Sequence, residues 1–218
     1  MAGRRRRPGV PVDPEGPVGT PGRRLGRGAR DRAAEPEPDR DPAQDPAQRA
    51  RDICLKLLAV RPRTRAELAT ALRRRGIPDD VVADVLDRYD EVGIVDDRAF
   101  AHAWVTSRHH GRGLAGRSLA GELRRKGVDS TTVDDAVGAL DPATEEATAR
   151  TLVGRRLRTE SGTAPDALFR RLVGMLARKG YPATLAIRVV KEALAGRAES
   201  AEFAEGIDPD ALADAVDG

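Results

Sequence analysis

The sequence predicts an all-α protein, built as an elongated, curved array of three tandem three-helix repeats between a disordered N-terminal extension and an acidic C-terminal tail. One pattern occurs three times: Leu, three residues, Leu, three mostly basic residues, Gly and an apolar residue. Its glycines, Gly76, Gly127 and Gly180, lie 51 and 53 residues apart. A fixed period of this kind indicates one supersecondary unit used three times. Apolar residues follow helical spacing, and no segment shows the alternation typical of strands.

Residues 1–48 are expected to form the disordered extension, which is rich in Pro, Gly and Arg. They hold nine of the 15 prolines and seven glycines, with hardly any large apolar side chains. Such a segment buries too little apolar surface to offset the entropy that it would lose on ordering.

Each repeat is expected to contain an upstream amphipathic helix, a leucine helix and a third helix. Leucines at i and i+4 share one helix face, and the glycine that follows ends the helix in the left-handed conformation. The apolar residues make up 39% of the chain but the aromatic ones only 3%, so Leu, Val, Ile and Ala are expected to build the core. The leucine pairs are Leu68 and Leu72, Leu119 and Leu123, and Leu172 and Leu176.

The first repeat covers residues 49–95, and the second covers residues 96–141. In the first, Thr64 and Glu67 have capping-box spacing at the start of the leucine helix. In the second, Asp96 and Asp97 are interpreted as a cap for the upstream helix.

That upstream helix of the second repeat carries Trp104, the only tryptophan, which is expected in the core. The glycine-rich stretch 111–116 is interpreted as an insertion between helices. The third repeat covers residues 142–196. The tail covers residues 197–218, where Asp208 begins one short helix whose docking the sequence does not define.

Composition excludes several classes of protein. The single cysteine, Cys54, excludes an internal disulfide framework and a cysteine-based zinc site, and it is expected to be a buried apolar side chain. No run approaches the roughly 20 apolar residues that span a bilayer, and no apolar segment follows the basic cluster at residues 4–7. We therefore expect a soluble cytoplasmic protein, and a monomer is the simplest assembly.

The charge is divided along the chain. Residues 49–197 carry 28 basic and 20 acidic side chains, whereas residues 198–218 carry seven acidic and no basic ones. A basic body favours a polyanionic partner, although a well-solvated helical protein would have the same charge. The candidate partner- or DNA-binding residues are the basic residues of the three repeated triplets and three arginines around the insertion: Arg73, Arg74, Arg75, Arg124, Arg125, Lys126, Arg178 and Lys179, with Arg108, Arg112 and Arg117.

Basic residues in a last helical turn also oppose the helix dipole, which is worth about 0.3–1 kcal/mol each. Three in a row exceed what capping requires, and the triplet recurs nearly intact, with Ala177 in place of the first basic residue in the third repeat. The three arginines around the insertion are interpreted as loop charges, which either extend the surface formed by the triplets or are simply solvated.

Several stretches together resemble the RecX family. They are residues 61–68, residues 95–101, Arg108, Gly111 and residues 122–128. The resemblance covers about residues 49–195, including the triple repeat. It implies a regulator of the RecA recombinase that lies in the groove of the RecA–DNA filament. There it would limit filament growth, ATP hydrolysis, strand exchange and co-protease activity, with a role in DNA repair, recombination and the SOS response.

Two other functions compete with this one. A stand-alone DNA-binding regulator is the alternative, because short successive helices resemble a helix-turn-helix; a filament modulator should instead bind naked DNA only weakly. An enzyme such as a metal nuclease would need clustered ligands, and the histidines His102, His109 and His110 fit no known metal spacing. The stretch 111–116 matches a dinucleotide-binding glycine pattern but lacks the strand that must precede it. No catalytic residue, metal or cofactor is therefore expected.

Overall fold

The helices follow the order that the repeats predict. The computed structural model describes residues 45–160, 162–197, 201–209, 212 and 213, and within them the chain forms ten α-helices and no strand, which confirms the all-α fold. The helices are α1 (Pro46–Val60), α2 (Arg65–Arg74), α3 (Asp79–Glu91), α4 (Asp97–Arg112), α5 (Gly116–Arg125), α6 (Ser130–Gly138), α7 (Pro142–Leu157), α8 (Pro165–Arg178), α9 (Ala183–Ala195) and α10 (Ala201–Glu205).

The first nine helices form three modules of three helices, each with its own apolar core. Module 1 contains α1–α3, module 2 contains α4–α6 and module 3 contains α7–α9. All six repeat leucines are fully buried. Complete burial of such a side chain stabilises the fold by about 1.5–3 kcal/mol, so the leucine helix is the centre of each module.

The three leucine helices end in the same hydrogen-bonded turn. In module 1 the amide of Ile77 donates to the carbonyl of Leu72, and the amide of Gly76 donates to the carbonyl of Arg73. These two bonds define a Schellman motif, and the same pair recurs around Gly127 and Gly180. All three glycines have positive φ, at 74°, 78° and 90°, which confirms the predicted left-handed helix ends.

Local capping is also largely as predicted. Thr64 and Glu67 form both hydrogen bonds of a capping box. The Asp96 carboxylate caps α4 by accepting from the amide of Ala99, whereas Asp97 has a different partner that is described below. Cys54 is fully buried, and this burial raises the pKa of its thiol to about 11.

Some boundaries and environments differ from the sequence-based expectation. Helix α1 begins at Pro46, so residues 46–48 belong to a helix and not to the extension. Helix α4 continues through Gly111 to Arg112, which reduces the predicted insertion to residues 113–115. Trp104 is half-buried, since its indole N–H donates to Glu122 at 2.8 Å near the surface. The predicted extension otherwise lies outside the described residues.

The C-terminal segment packs on module 3, which the sequence did not indicate. Ala204, Ile207 and Ala213 are buried in the core of that module, and the ring of Phe203 contacts the ring of Phe169 edge-to-face. A short helix is expected to start at Asp208, and a helical hydrogen bond is present there, because the carbonyl of Asp208 accepts from the amide of Leu212. The tail therefore begins as an ordered part of the third module.

Candidate functional site

The first junction, between modules 1 and 2, joins the start of α2 to two parts of module 2. The hydroxyl of Thr64 donates to the carbonyl of Lys126 at 2.7 Å. The amide of Arg65 donates to the carboxylate of Asp97 at 2.9 Å. Burial, together with the nearby Asp90, raises the pKa of Asp97, although the bond from Arg65 opposes the rise.

The second junction, between modules 2 and 3, joins the corresponding helix ends through a different donor and a differently placed acid. The amide of Ala115 donates to the carbonyl of Lys179 at 2.9 Å, and the amide of Gly116 donates to the carboxylate of Glu145 at 2.8 Å. In both junctions an acid from the upstream helix of one module satisfies a free amide at the start of the preceding leucine helix. The modules are thus joined twice by the same arrangement of helices.

The two acids that make these junctions were not predicted as such. Asp97 was interpreted as part of a cap for its own helix, and Glu145 was not singled out. Adjacent aspartates before a helix carry no sequence signal that tells which of them faces another module. The junction is therefore visible only in the tertiary structure.

Lys126, the last residue of the second basic triplet, lies at the first junction and is largely covered. Its ammonium group lies 2.7 Å from the carboxylate of Glu67 and 4.3 Å from the centroid of the Trp104 ring, and only 16% of its side chain is exposed. Burial alone would raise the pKa of Glu67, but the hydrogen bond and charge of Lys126 outweigh it and hold the pKa below its ordinary value. Lys126 therefore holds two modules together.

Arg108 also contacts the Trp104 ring and a carboxylate, as Lys126 does. Its guanidinium lies 4.1 Å from the Trp104 centroid and 3.8 Å from the carboxylate of Glu122. Contacts of this kind between a cation and an aromatic ring stabilise by about 0.5–2 kcal/mol. The side chain lies on a helix and is half-buried, so the interpretation as a loop charge is wrong for Arg108.

The last residues of the other two triplets are also engaged. The ammonium group of Lys179 donates to the carbonyl of Arg112 at 2.6 Å, across the second junction. The guanidinium of Arg75 donates to the carbonyl of Ala71, and the carbonyl of Arg75 accepts from Arg49. At the two junctions, the carbonyl of the last triplet residue accepts a hydrogen bond from the preceding module. In module 1, Arg49 of the same module is the donor to this carbonyl.

The first residues of the triplets make exposed ion pairs. Arg73 pairs with Asp79 at 2.6 Å, and Arg124 pairs with Asp134 at 3.3 Å. The third module has Ala177 at this position. Exposed ion pairs contribute about 0–1 kcal/mol to stability. A binding partner that contacts these arginines must therefore compete with a weak internal ion pair.

The middle residues of the triplets, Arg74, Arg125 and Arg178, differ from their neighbours. All three are exposed, and none has an ion pair or side-chain hydrogen bond among the described residues. The guanidinium groups of Arg125 and Arg178 lie back over glycines one turn earlier, Gly121 and Gly174. We call these three residues the arginine row.

Arg112 and Arg117 complete the predicted set. Both are exposed, and neither guanidinium has a partner within the part of the chain that the structure describes. Arg112 is the last residue of α4 and Arg117 lies in α5, so both are helical and not loop residues. They are the remaining cations of the candidate set that are free to meet a partner.

His109 and the glycine-rich stretch have structural roles. His109 is buried, with Nδ1 2.9 Å from the carbonyl of Leu114 and Nε2 2.9 Å from the hydroxyl of Thr148. Gly113 has φ of 61° and ends α4. Among the described residues, no group of three or more His, Cys, Asp or Glu side chains is placed to hold a metal ion.

None of the described helices combines the length and apolar character that a membrane crossing requires.

Comparisons with known proteins agree with the fold and the repeat. The profile of the first three-helix domain of RecX matches residues 50–88, and that of the second matches residues 96–137. A protein from Streptomyces coelicolor named Regulatory protein RecX is 55% identical over 162 residues, which cover 74% of this chain and 86% of the relative.

A protein of the same name from Thermobifida fusca is 59% identical over 160 residues, which cover 73% of this chain and 86% of the relative. The crystal structure of RecX from Lactobacillus salivarius superposes with a TM-score of 0.61 at 18% identity, covering 68% of this chain and 96% of that one. At this identity the structural likeness supports the fold alone.

Proposed function

The chain belongs to the RecX family, and we propose on this basis that it is a non-enzymatic modulator, mainly an inhibitor, of the RecA recombinase. It binds the groove of the RecA–DNA filament and limits filament extension, ATP hydrolysis, strand exchange and co-protease activity. The family assignment supplies the regulatory role, and the arginine row is the feature of this chain that supports binding to such a polymer.

The arginine row supports the proposal because its members repeat with the modules. A filament presents the same acidic and phosphate groups at regular intervals, so a ligand that repeats can meet several of them at once. Both junctions join the start of one leucine helix to the end of the next one, which favours a regular step between Arg74, Arg125 and Arg178. Guanidinium groups suit these partners since each forms two parallel hydrogen bonds to a carboxylate or phosphate.

The mechanism that we propose is occlusion. Successive modules contact neighbouring RecA protomers and the DNA backbone, and the bound array obstructs the surfaces that a duplex or a cleaved repressor would occupy. The junctions matter here, because the array must keep its spacing while it spans more than one protomer.

The arginine row is tested by replacing Arg74, Arg125 and Arg178 with alanine together. The readout is ATP turnover by RecA on single-stranded DNA as the protein is added. Loss of three exposed charge contacts, each worth about 0.5–1 kcal/mol, is expected to raise the half-inhibitory concentration about tenfold or more.

A matched control removes three exposed arginines that already have acidic partners, Arg73, Arg124 and Arg170. This variant loses the same charge, and we expect its inhibition to change by less than about twofold. Equal weakening by both variants would show that charge alone matters and would refute the arginine row. Sequence-selective binding of the wild type to duplex DNA, without any effect on RecA, would support a stand-alone DNA-binding regulator.

A further inference from the structure

A cleft at the second junction has no role in the proposal above. It lies between the last turn of α4 and one face of α7, and its volume is about 380 Å³. Ala147 and Leu152 are its apolar wall residues. The volume is large enough for a small organic group, and the cleft is open to solvent along one side.

Two unpaired cations lie at this cleft. Arg112 ends α4 and Arg155 lies in the last turn of α7, and both are exposed. Neither guanidinium has an acceptor among the described residues, although most arginines of the modules do. No aspartate or glutamate is among the described residues that line the cleft, so its potential is positive.

The cleft also contains hydrogen-bond acceptors. The hydroxyl of Thr151 donates to the carbonyl of Ala147 in its own helix, which leaves its oxygen lone pairs available. The hydroxyl of Thr148 already contacts both the carbonyl of Thr144 and Nε2 of His109. Residues 110 and 111 line the cleft within the last turn of α4, and no described group donates to the carbonyl of either. The cleft thus combines cationic donors, neutral acceptors and an apolar surface.

We infer that this cleft binds one unpaired nucleotide of a nucleic-acid strand. The guanidinium groups of Arg112 and Arg155 bind its phosphates, and the base lies against Leu152. An N–H group of the base donates to Thr151 or to a free carbonyl of α4.

Other ligands fit the cleft less well. An acidic peptide would pair its carboxylates with the two arginines and its backbone N–H groups with the acceptors, but its acidic side chains place no flat ring against Leu152. A duplex hides its base faces and Watson–Crick edges, so it cannot place a base against Leu152. This binding does not require RecA, and the site is thus separate from the arginine row.

The test measures fluorescence anisotropy with a labelled thymidine oligonucleotide of about 20 nucleotides and with a duplex of the same length, in the absence of RecA. Arg155→Ala removes a phosphate contact, and we expect it to weaken binding of the single strand about fivefold. Thr151→Val removes an acceptor but no charge, and we expect a loss of about two- to threefold on the single strand and none on the duplex.

Arg158→Ala is the matched control, because Arg158 is exposed on the same helix end but does not line the cleft. It is expected to change the affinity for the single strand by less than about twofold. Circular dichroism checks that each variant is folded. Equal losses from Arg155→Ala and Arg158→Ala, an equal loss on the duplex, or binding of an acidic peptide with the same dependence on Arg155 and Thr151 would each overturn the assignment.

Discussion

Alanine substitution of three glycines would measure how much the junctions contribute to the free energy of unfolding. Gly76, Gly127 and Gly180 occupy the same position of the same turn, with similar positive φ. A Cβ added at Gly76 meets nothing within 4 Å. At Gly127 it would overlap the Cβ of Ala66 across the first junction, and at Gly180 it would lie 2.5 Å from the amide nitrogen of Ser118 across the second.

The expected magnitudes follow from these contacts. An alanine in the left-handed conformation costs about 1–2 kcal/mol at each of the three positions. At Gly127 the overlap is with Ala66, which has no rotatable side chain, so the junction must open. Opening weakens one neutral and one charged hydrogen bond, those from Thr64 and Arg65, which together contribute about 2–4 kcal/mol. Gly127→Ala is therefore expected to cost about 3–6 kcal/mol in total, and Gly180→Ala a similar amount.

The assay is denaturant unfolding of the three alanine variants, followed by circular dichroism and by the fluorescence of Trp104. Gly76→Ala is the control, since it has the same backbone strain without the clash. Because Trp104 lies beside Lys126 at the first junction, its emission should change in Gly127→Ala and stay unchanged in Gly76→Ala. If all three variants lost the same free energy of unfolding, the junctions would not be close-packed contacts and the reasoning would be refuted.

Two further predictions concern titratable groups in the first module. Burial raises the pKa of the Cys54 thiol to about 11, which lowers the fraction of reactive thiolate at pH 8. Ellman's reagent at this pH should therefore label the native protein about a hundredfold more slowly than the unfolded chain. Rapid labelling of the native protein would contradict the burial. The pKa of Glu67 is lowered by Lys126 against the effect of burial, so its contribution to stability is present above the ordinary glutamate pKa and is lost as the pH falls through the lower native pKa. Glu67→Gln should thus cost about 1–2 kcal/mol at pH 7 in urea unfolding, with the difference from wild type disappearing in acid; a difference independent of pH would argue against the ion pair.

The features that could be predicted from the sequence are those set by neighbours along the chain. The buried leucines, the left-handed glycines and the capping box all depend on residues within one or two turns, and the structure confirms them. The environment of Trp104 was less predictable. Its bulk favours a core position, but its N–H requires a polar partner, and Glu122 meets that need only near the surface.

The basic triplets show where a local pattern misleads. Consecutive residues of a helix lie about 100° apart, so three in a row cannot share one exposed face. In the second triplet the structure separates them into Arg124, which is ion-paired, Arg125, which is free, and Lys126, which lies at a junction. Helix geometry alone could have indicated this division, whereas the contacts between Lys126 and Glu67, 59 positions apart, depend on how two modules meet.

The ends of the array explain why contact with a partner should occur along its length. At the first module, Arg49 already supplies the donor that a preceding module would bring to the carbonyl of Arg75. At the third module, Phe169 occupies the register position of Arg65 and Gly116, three residues before the first leucine of the repeat. Phe169 lies within α8, where its amide belongs to the helix, and its ring is covered by Phe203. Among the described residues, neither end therefore leaves these junction groups free, and we expect a repeating partner to contact the exposed arginines along the modules.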